Sequence, residues 1–181
     1  MEAHAYCPAC GGRLSPHVEG GRARQACPAC GRIHYRNPIP AAAVVVRLDK
    51  GVVLVRRKVA PFAGAWCLPA GFQEADESSE ACAQRECREE TGLQVRISRV
   101  LWAGFGTDDP RASVTVVFYE AEPVGGSLEP GDDAIEARAF PLTALPSPIA
   151  FATHRAVLAR LGGSPAGTAP TPPARVPPTP V

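Results

Sequence analysis

The chain has 181 residues, 45% of them hydrophobic and 20% charged, which suits one core of ordinary size with a small appended module. No stretch approaches the roughly 18 apolar residues of a membrane span, and the opening MEAHAYCPAC has neither a basic region nor an apolar signal core, so a cytoplasmic protein with no membrane partner is expected. A formal net charge of +1 is too small to argue for nucleic acid, although the first 38 residues lean basic and the segment after them leans acidic.

In chain order, two near copies of one knuckle come first, Cys7-Pro-Ala-Cys10-Gly and Cys27-Pro-Ala-Cys30-Gly. Each CxxC turn presents two thiolates to one ion, and two such turns complete tetrahedral Zn2+ ligation. An odd total of seven cysteines in a chain without a visible secretory signal favours metal over disulfides. Four thiolates leave no open position, so one structural zinc at Cys7, Cys10, Cys27 and Cys30 is expected, and the small polar segment around it depends on that ion to fold. His17 and His34 are then surface residues, and Arg13, Arg22, Arg24, Arg32 and Arg36 read as a solvated basic face, with weak nucleic-acid contact as the less favoured alternative.

Residues 35–40 (YRNPIP) form a stiff, extended link, since two prolines in three residues exclude a helix. Residues 41–48 read as a buried strand, Asp49-Lys50-Gly51 as a turn and residues 52–58 as the partner strand of a hairpin. Arg56 and Arg57 at its end either face substrate phosphates or cap a solvated strand end. Trp66 belongs to the core, and Cys67, Cys82 and Cys87 are core thiols with no base nearby to make a nucleophile. Strands follow over 95–101 and 113–121, separated by a polar loop over 103–111 in which Phe105 and Arg111 are candidate substrate-selecting residues. A second loop covers 125–133, then a short strand 135–140 and an amphipathic helix 149–161 carrying His154 as a packing or surface residue. Residues 163–181 hold seven prolines and read as a disordered tail.

The chemistry concentrates between these elements, in the stretch from Gly71 to Leu93, GFQEADESSEACAQRECREETGL. At about 100° per residue, Glu86, Glu89 and Glu90 fall within a roughly 100° arc of one helix face. Like charges at that density oppose the helix unless a hard cation such as Mg2+ or Mn2+ neutralises them. Gly71 can close a tight loop ahead of them, Arg85 has the fixed fork to orient a carboxylate such as Glu77, and Gly92 stands where a left-handed cap ends a helix.

The spacing of Gly71, Glu77, Arg85, Glu86, Glu89, Glu90, Thr91, Gly92 and Leu93 resembles the signature box of the Nudix hydrolases, and Trp66-Cys67-Leu68-Pro69-Ala70 resembles that family's lead-in. Cys87 departs from the pattern, standing where the family has a larger aliphatic residue, which affects packing more than chemistry. The resemblance implies an α/β fold, the Nudix α/β/α sandwich with a mixed curved sheet, over residues 37–162, preceded by a small four-cysteine zinc ribbon over 1–36. It further implies that Glu86, Glu89, Glu90 and the Ala70 carbonyl hold one to three Mg2+ or Mn2+ ions and that Arg85 orients the acids through Glu77. For the general base, Glu90 competes with Asp132, Asp133 and Glu136, and Glu136 is preferred. Together, the ribbon, the YRNP link, WCLPAGF and IAFATHR resemble Nudix enzymes that release AMP from ADP-ribose or FAD. Two alternatives are carried: an NADH or NAD pyrophosphatase, although the SQPWPFP-like segment of that branch is missing here, and a catalytically silent nucleotide sensor that binds nucleic acid or protein. Expected partners are a nucleotide-derived substrate, contacted by Arg57, Phe105 and Arg111, and a second copy of the chain.

Overall fold

The computed structural model describes residues 4–131 and 133–162. The tail expected over 163–181 and the candidate base Asp132 lie outside the described residues. The chain divides into two compact units, one ending at Asn37 and one beginning at Pro38.

In the first unit, β1 (Ser15–Glu19), β2 (Arg22–Ala26) and β3 (Ile33–His34) form an antiparallel sheet in that order. Gly20 and Gly21, both at positive φ, supply the two-residue turn whose twist matches β1 and β2. Each CxxC folds into the same tight turn, with the Cys7 carbonyl accepting from Gly11 N–H and the Cys27 carbonyl from Gly31 N–H, both at 2.8 Å. Among the described residues the unit's buried cluster is only Cys7, Leu14 and Cys27. A core of that size does not hold a chain folded without a metal or a similar staple.

In the second unit, β4 (Ile39–Leu48) alternates strictly. Ala41, Ala43 and Val45 join one core with Leu54, Phe118, Val157 and Leu158, while Ala42, Val44 and Val46 join another with Cys82, Ala83 and Cys87. A strand buried on both faces lies between two helical layers. Those layers are α1 (Ser79–Thr91) and α2 (Ala152–Leu161). The remaining strands are β5 (Gly51–Arg57), β6 (Trp66–Cys67), β7 (Ala70–Phe72), β8 (Leu93–Gly106), β9 (Val114–Gly126) and β10 (Ala134–Phe140). The sheet runs β10-β5-β4-β9-β8, with β4 and β9 parallel and the other neighbours antiparallel. The expected α/β/α sandwich with a mixed sheet is the observed architecture. No helix among the described residues is long and apolar enough to cross a membrane.

The β4–β5 hairpin positions the site. Asp49 and Lys50 at positive φ form its turn, but the two strands pair only through Arg47↔Val52 and Leu48↔Gly51 before they part. Into the gap go β6, paired with β5, and β7, paired with Ala41–Ala43 of β4. The residues leading to Gly71 are thereby held in the sheet itself, facing α1.

Three expected boundaries are corrected. The loop over 103–111 shrinks, because β8 stays paired with β9 from Leu93↔Gly126 to Gly106↔Val114, with irregularities absorbed along the way. Gly104 marks a close approach rather than a turn, since a Cβ there would run into the Trp102 indole. The same pairing carries β9 to Gly126, past the expected strand end at 121. Finally, α2 begins at Ala152 rather than 149, because Ile149 bridges Trp66 and Ala150 N–H bonds the Trp66 carbonyl at 2.7 Å.

Candidate functional site

Helix α1 starts at Ser78, whose side chain accepts from Ala81 N–H at 3.1 Å, and stops at Gly92, which takes the left-handed conformation at φ 70°. Between these caps Arg85 is the hub. Its Nε and Nη2 donate to both oxygens of Glu77 at 3.0 and 2.6 Å, its Nη1 donates to Glu86 at 2.6 Å and Glu89 at 3.0 Å, and Nη2 also reaches the Phe72 carbonyl at 3.1 Å. Glu77 takes a further bond from Glu74 N–H at 2.9 Å. Bonding to Arg85 and to Glu74 N–H holds the Glu77 carboxyl down at about 2, so it stays ionised, and the same pairs raise Arg85.

Glu86 and Glu90 face the loop instead. Gly71 packs so tightly on Glu86 that any side chain there would occupy the space of its carboxylate. Glu90 is 8% exposed and accepts from Ala70 N–H at 3.1 Å. Burial pushes the Glu90 carboxyl up to about 8, against the Ala70 N–H that favours its ionised form, and the Glu86 charge adds to the rise. Burial likewise raises Glu86, against the pull of Arg85. Buried Glu90 and half-buried Glu86, which resist ionising side by side, with oxygen donors around a glycine too crowded for a side chain, fit a hard divalent cation, whose charge would reverse both shifts.

These residues line one wall of a cavity of about 320 Å3 whose other walls include Arg57, Arg111, Asp109 and Asp133, with Phe72, Phe151 and His154. That is the lower end of the range for small-molecule sites. Arg57 donates through Nε to the Pro61 carbonyl at 2.8 Å, with its guanidinium 5.1 Å from the Phe151 ring centre. Arg111 makes a two-pronged pair with buried Asp109, at 3.0 and 2.7 Å, and its guanidinium lies 5.7 Å from the Phe72 ring centre.

Of the candidate residues, the structure brings together Ala70, Glu77, Arg85, Glu86, Glu89, Glu90, Arg57 and Arg111. Two stand apart. Glu136 is not on the cavity wall but lies between Arg138 at 3.2 Å and Arg56 at 3.9 Å, and Phe105 is 62% exposed and also off the wall. Glu89 bonds Arg85 without lining the cavity. Asp109 escaped notice in the sequence, although an acid two residues before an arginine could have been read as its partner. Asp108 escaped too. Its Oδ2 accepts from Ala152 N–H at 2.6 Å and so caps α2, which gains no such bond from its own N-cap residue Phe151.

In the first unit the ligand atoms of Cys7, Cys10, Cys27 and Cys30 all lie within 4.8 Å of one another, close enough to hold one metal ion. The Cys7–Cys30 and Cys10–Cys27 sulfurs are 3.7 and 3.5 Å apart, close to the roughly 3.8 Å edge of a tetrahedron with Zn–S bonds of about 2.3 Å. Cys67, Cys82 and Cys87 are buried, and burial pushes their thiols up to about 12, 12 and 11, too high for a nucleophile or ligand.

Comparison with known proteins agrees with both units. Residues 37–161 match the NUDIX domain family and residues 5–36 the Nudix N-terminal family of zinc ribbons. An ADP-ribose pyrophosphatase of Methanocaldococcus jannaschii is 38% identical over 113 residues, 62% of this chain and 67% of that protein. An NAD-capped RNA hydrolase, NudC, of Stutzerimonas stutzeri is 33% identical over 149 residues, covering 81% of this chain but 51% of NudC, so the chain spans about half the length of that relative. A crystal structure of a NUDIX hydrolase from Nitrosomonas europaea superposes with a TM-score of 0.75 at 30% identity, covering 90% of this chain and 96% of that one.

Proposed function

This chain belongs to the Nudix hydrolases, and on that premise we propose that it hydrolyses the diphosphate of a nucleoside diphosphate linked to a second moiety, ADP-ribose or FAD, releasing AMP with Mg2+ or Mn2+ as cofactor. The observation that carries the reading is the wall where Glu86 closes on Gly71 and buried Glu90 closes on Ala70 N–H, inside a cavity with two arginines. Glu86, Glu89, Glu90 and the Ala70 carbonyl are the groups that would hold the ions, of which the family uses at least one. Bound divalent ions neutralise the diphosphate and activate water.

The protein's own residues do the rest. Arg85, clamped by Glu77, sets the rotamers of Glu86 and Glu89. Arg57 and Arg111 offer positive charge to phosphate oxygens, Arg111 held in place by Asp109. Glu90 and Asp133 line the cavity and Glu136 does not, which favours the first two as proton acceptor for the attacking water. The ribbon's zinc has a structural role, a cytoplasmic site of action is in keeping with the reducing conditions that zinc thiolates need, and a homodimer is the expected assembly.

A second reading, cleavage of NAD(H) or an NAD-capped end, draws on the similarity to NudC. One panel separates the two: AMP release from ADP-ribose, FAD and NADH, with Mg2+ and then Mn2+, and Glu86→Gln as control. Fast metal-dependent cleavage of ADP-ribose or FAD is expected. Cleavage of NADH alone selects the second reading, and silence across the panel from zinc-loaded protein refutes both in favour of a nucleotide sensor.

A further inference from the structure

His154, like its neighbour Thr153, is a buried polar residue of the cavity wall that the proposed reaction leaves unused, and it is the one with a ring that can donate and accept at once. The ring lies on the first turn of α2, 4% exposed, 5.2 Å from the Phe118 ring and 5.3 Å from the Phe151 ring. Its Nδ1 accepts a hydrogen bond from Leu68 N–H at 3.2 Å. A backbone amide can only donate, so Nδ1 carries no proton and the neutral ring holds its single proton on Nε2. Burial, with the Arg57 and Arg155 charges, drives the imidazole down to about 3, which keeps it in that neutral tautomer at any ordinary pH.

Nε2–H is therefore a fixed donor, and it has no hydrogen-bond partner among the described residues. His154 is also one of the residues that line the cavity. A donor without a partner among the described residues, on a residue of the cavity wall, is placed to serve a ligand in that cavity. Arg57 and Arg111 line the same cavity, so an anionic oxygen drawn to them is an acceptor that the His154 donor can meet there.

We propose that His154 contacts substrate, its Nε2–H donating to a phosphate oxygen that Arg57 attracts into the same cavity. This rests on the diphosphate-hydrolase reading for its substrate class, but the donor itself can be tested without turnover. The arrangement makes Leu68, in the lead-in to Gly71, the anchor of a substrate-binding residue 86 positions away.

Two substitutions separate this role from simple packing. In His154→Asn the amide oxygen can still accept from Leu68 N–H, but no donor reaches the Nε2 position. In His154→Gln a side-chain N–H reaches that position while the Leu68 contact is lost. Inorganic pyrophosphate is titrated calorimetrically into the full zinc-loaded chain with Mg2+, alongside thermal melts and a 15N spectrum of the His154 ring. Expected are about tenfold weaker binding in His154→Asn at unchanged melting temperature, near-native affinity but a lower melting temperature in His154→Gln, and a shift of the Nε2–H resonance on adding pyrophosphate. The proposal is overturned if wild-type protein does not bind pyrophosphate, if His154→Asn binds it as wild type does, or if both variants lose affinity in step with melting temperature. His154-dependent binding in a protein that releases no AMP from any dinucleotide supports the donor and refutes the hydrolase.

Discussion

Replacing Gly71 by alanine tests the site where its geometry is least forgiving. A Cβ built at Gly71 falls inside the Glu86 carboxylate, with Oε1, Cδ and Oε2 as its three nearest atoms. The backbone at Gly71 is held by β4 through Ala42, so the strand cannot retreat, and Glu86 must swing away instead. That movement breaks the 2.6 Å bond to Arg85 Nη1, but Arg85 keeps both oxygens of Glu77 and the contact with Glu89, so the fold loses only about 1–2 kcal/mol. Catalysis loses far more. A displacement of about 1 Å at a reacting centre costs on the order of 100-fold, or about 2.7 kcal/mol in the barrier. Gly71→Ala is thus expected to melt within several degrees of wild type, to release AMP from its best substrate at least about 100-fold more slowly, and to need more Mg2+ for half-maximal rate. A folded Gly71→Ala protein with a rate within about threefold of wild type would falsify the placement of Glu86 at the reacting centre.

The Glu77–Arg85 pair has a definite pH signature. Because the folded-state carboxyl is depressed to about 2 from an ordinary 4.5, its stabilisation is full above about 4.5 and fades as pH falls toward 2. The difference in urea midpoint between wild type and Glu77→Gln is expected to be constant from about pH 7 to about 5 and to shrink below that; a difference that grows on acidification contradicts the clamp. Asp108→Ala removes the cap on Ala152 N–H and is expected to cost about 1 kcal/mol in chemical denaturation, whereas Asp108→Asn, which can still accept, costs less than half of that. Stripping zinc with a chelator is expected to release one ion per chain and to unfold residues 5–36 while amide exchange in β4 and β9 stays slow; a ribbon with unchanged exchange after metal loss refutes its dependence on zinc.

What could be read from the sequence follows how far each interaction reaches along the chain. The two CxxC turns, the acids at three and four residues' spacing and the cap at Gly92 are local, so residue type and spacing were enough to place Cys7, Cys10, Cys27, Cys30, Glu86, Glu89 and Glu90. The alternation of β4 was hidden, because a strand buried on both faces reads as an unbroken apolar run and shows its two cores only once both helices are in place. The loop expected over 103–111 is shortened for a related reason: Gly104 lies against the Trp102 indole within β8, a contact that residue type alone does not show. The cavity's far wall was the least legible part. Asp108 acts on an amide 44 residues later, and the protonation of His154 is dictated by an amide 86 residues earlier. Neither contact leaves a periodicity or a spacing. Both are made by the same first turn of α2, so that turn joins the β8–β9 loop to the lead-in of Gly71. The residues proposed to contact substrate, Arg57, Arg111 and His154, thus come from three distant segments, whereas Glu86 and Glu90 both come from α1. Changes in substrate are then expected to arise by altering the first without disturbing the second.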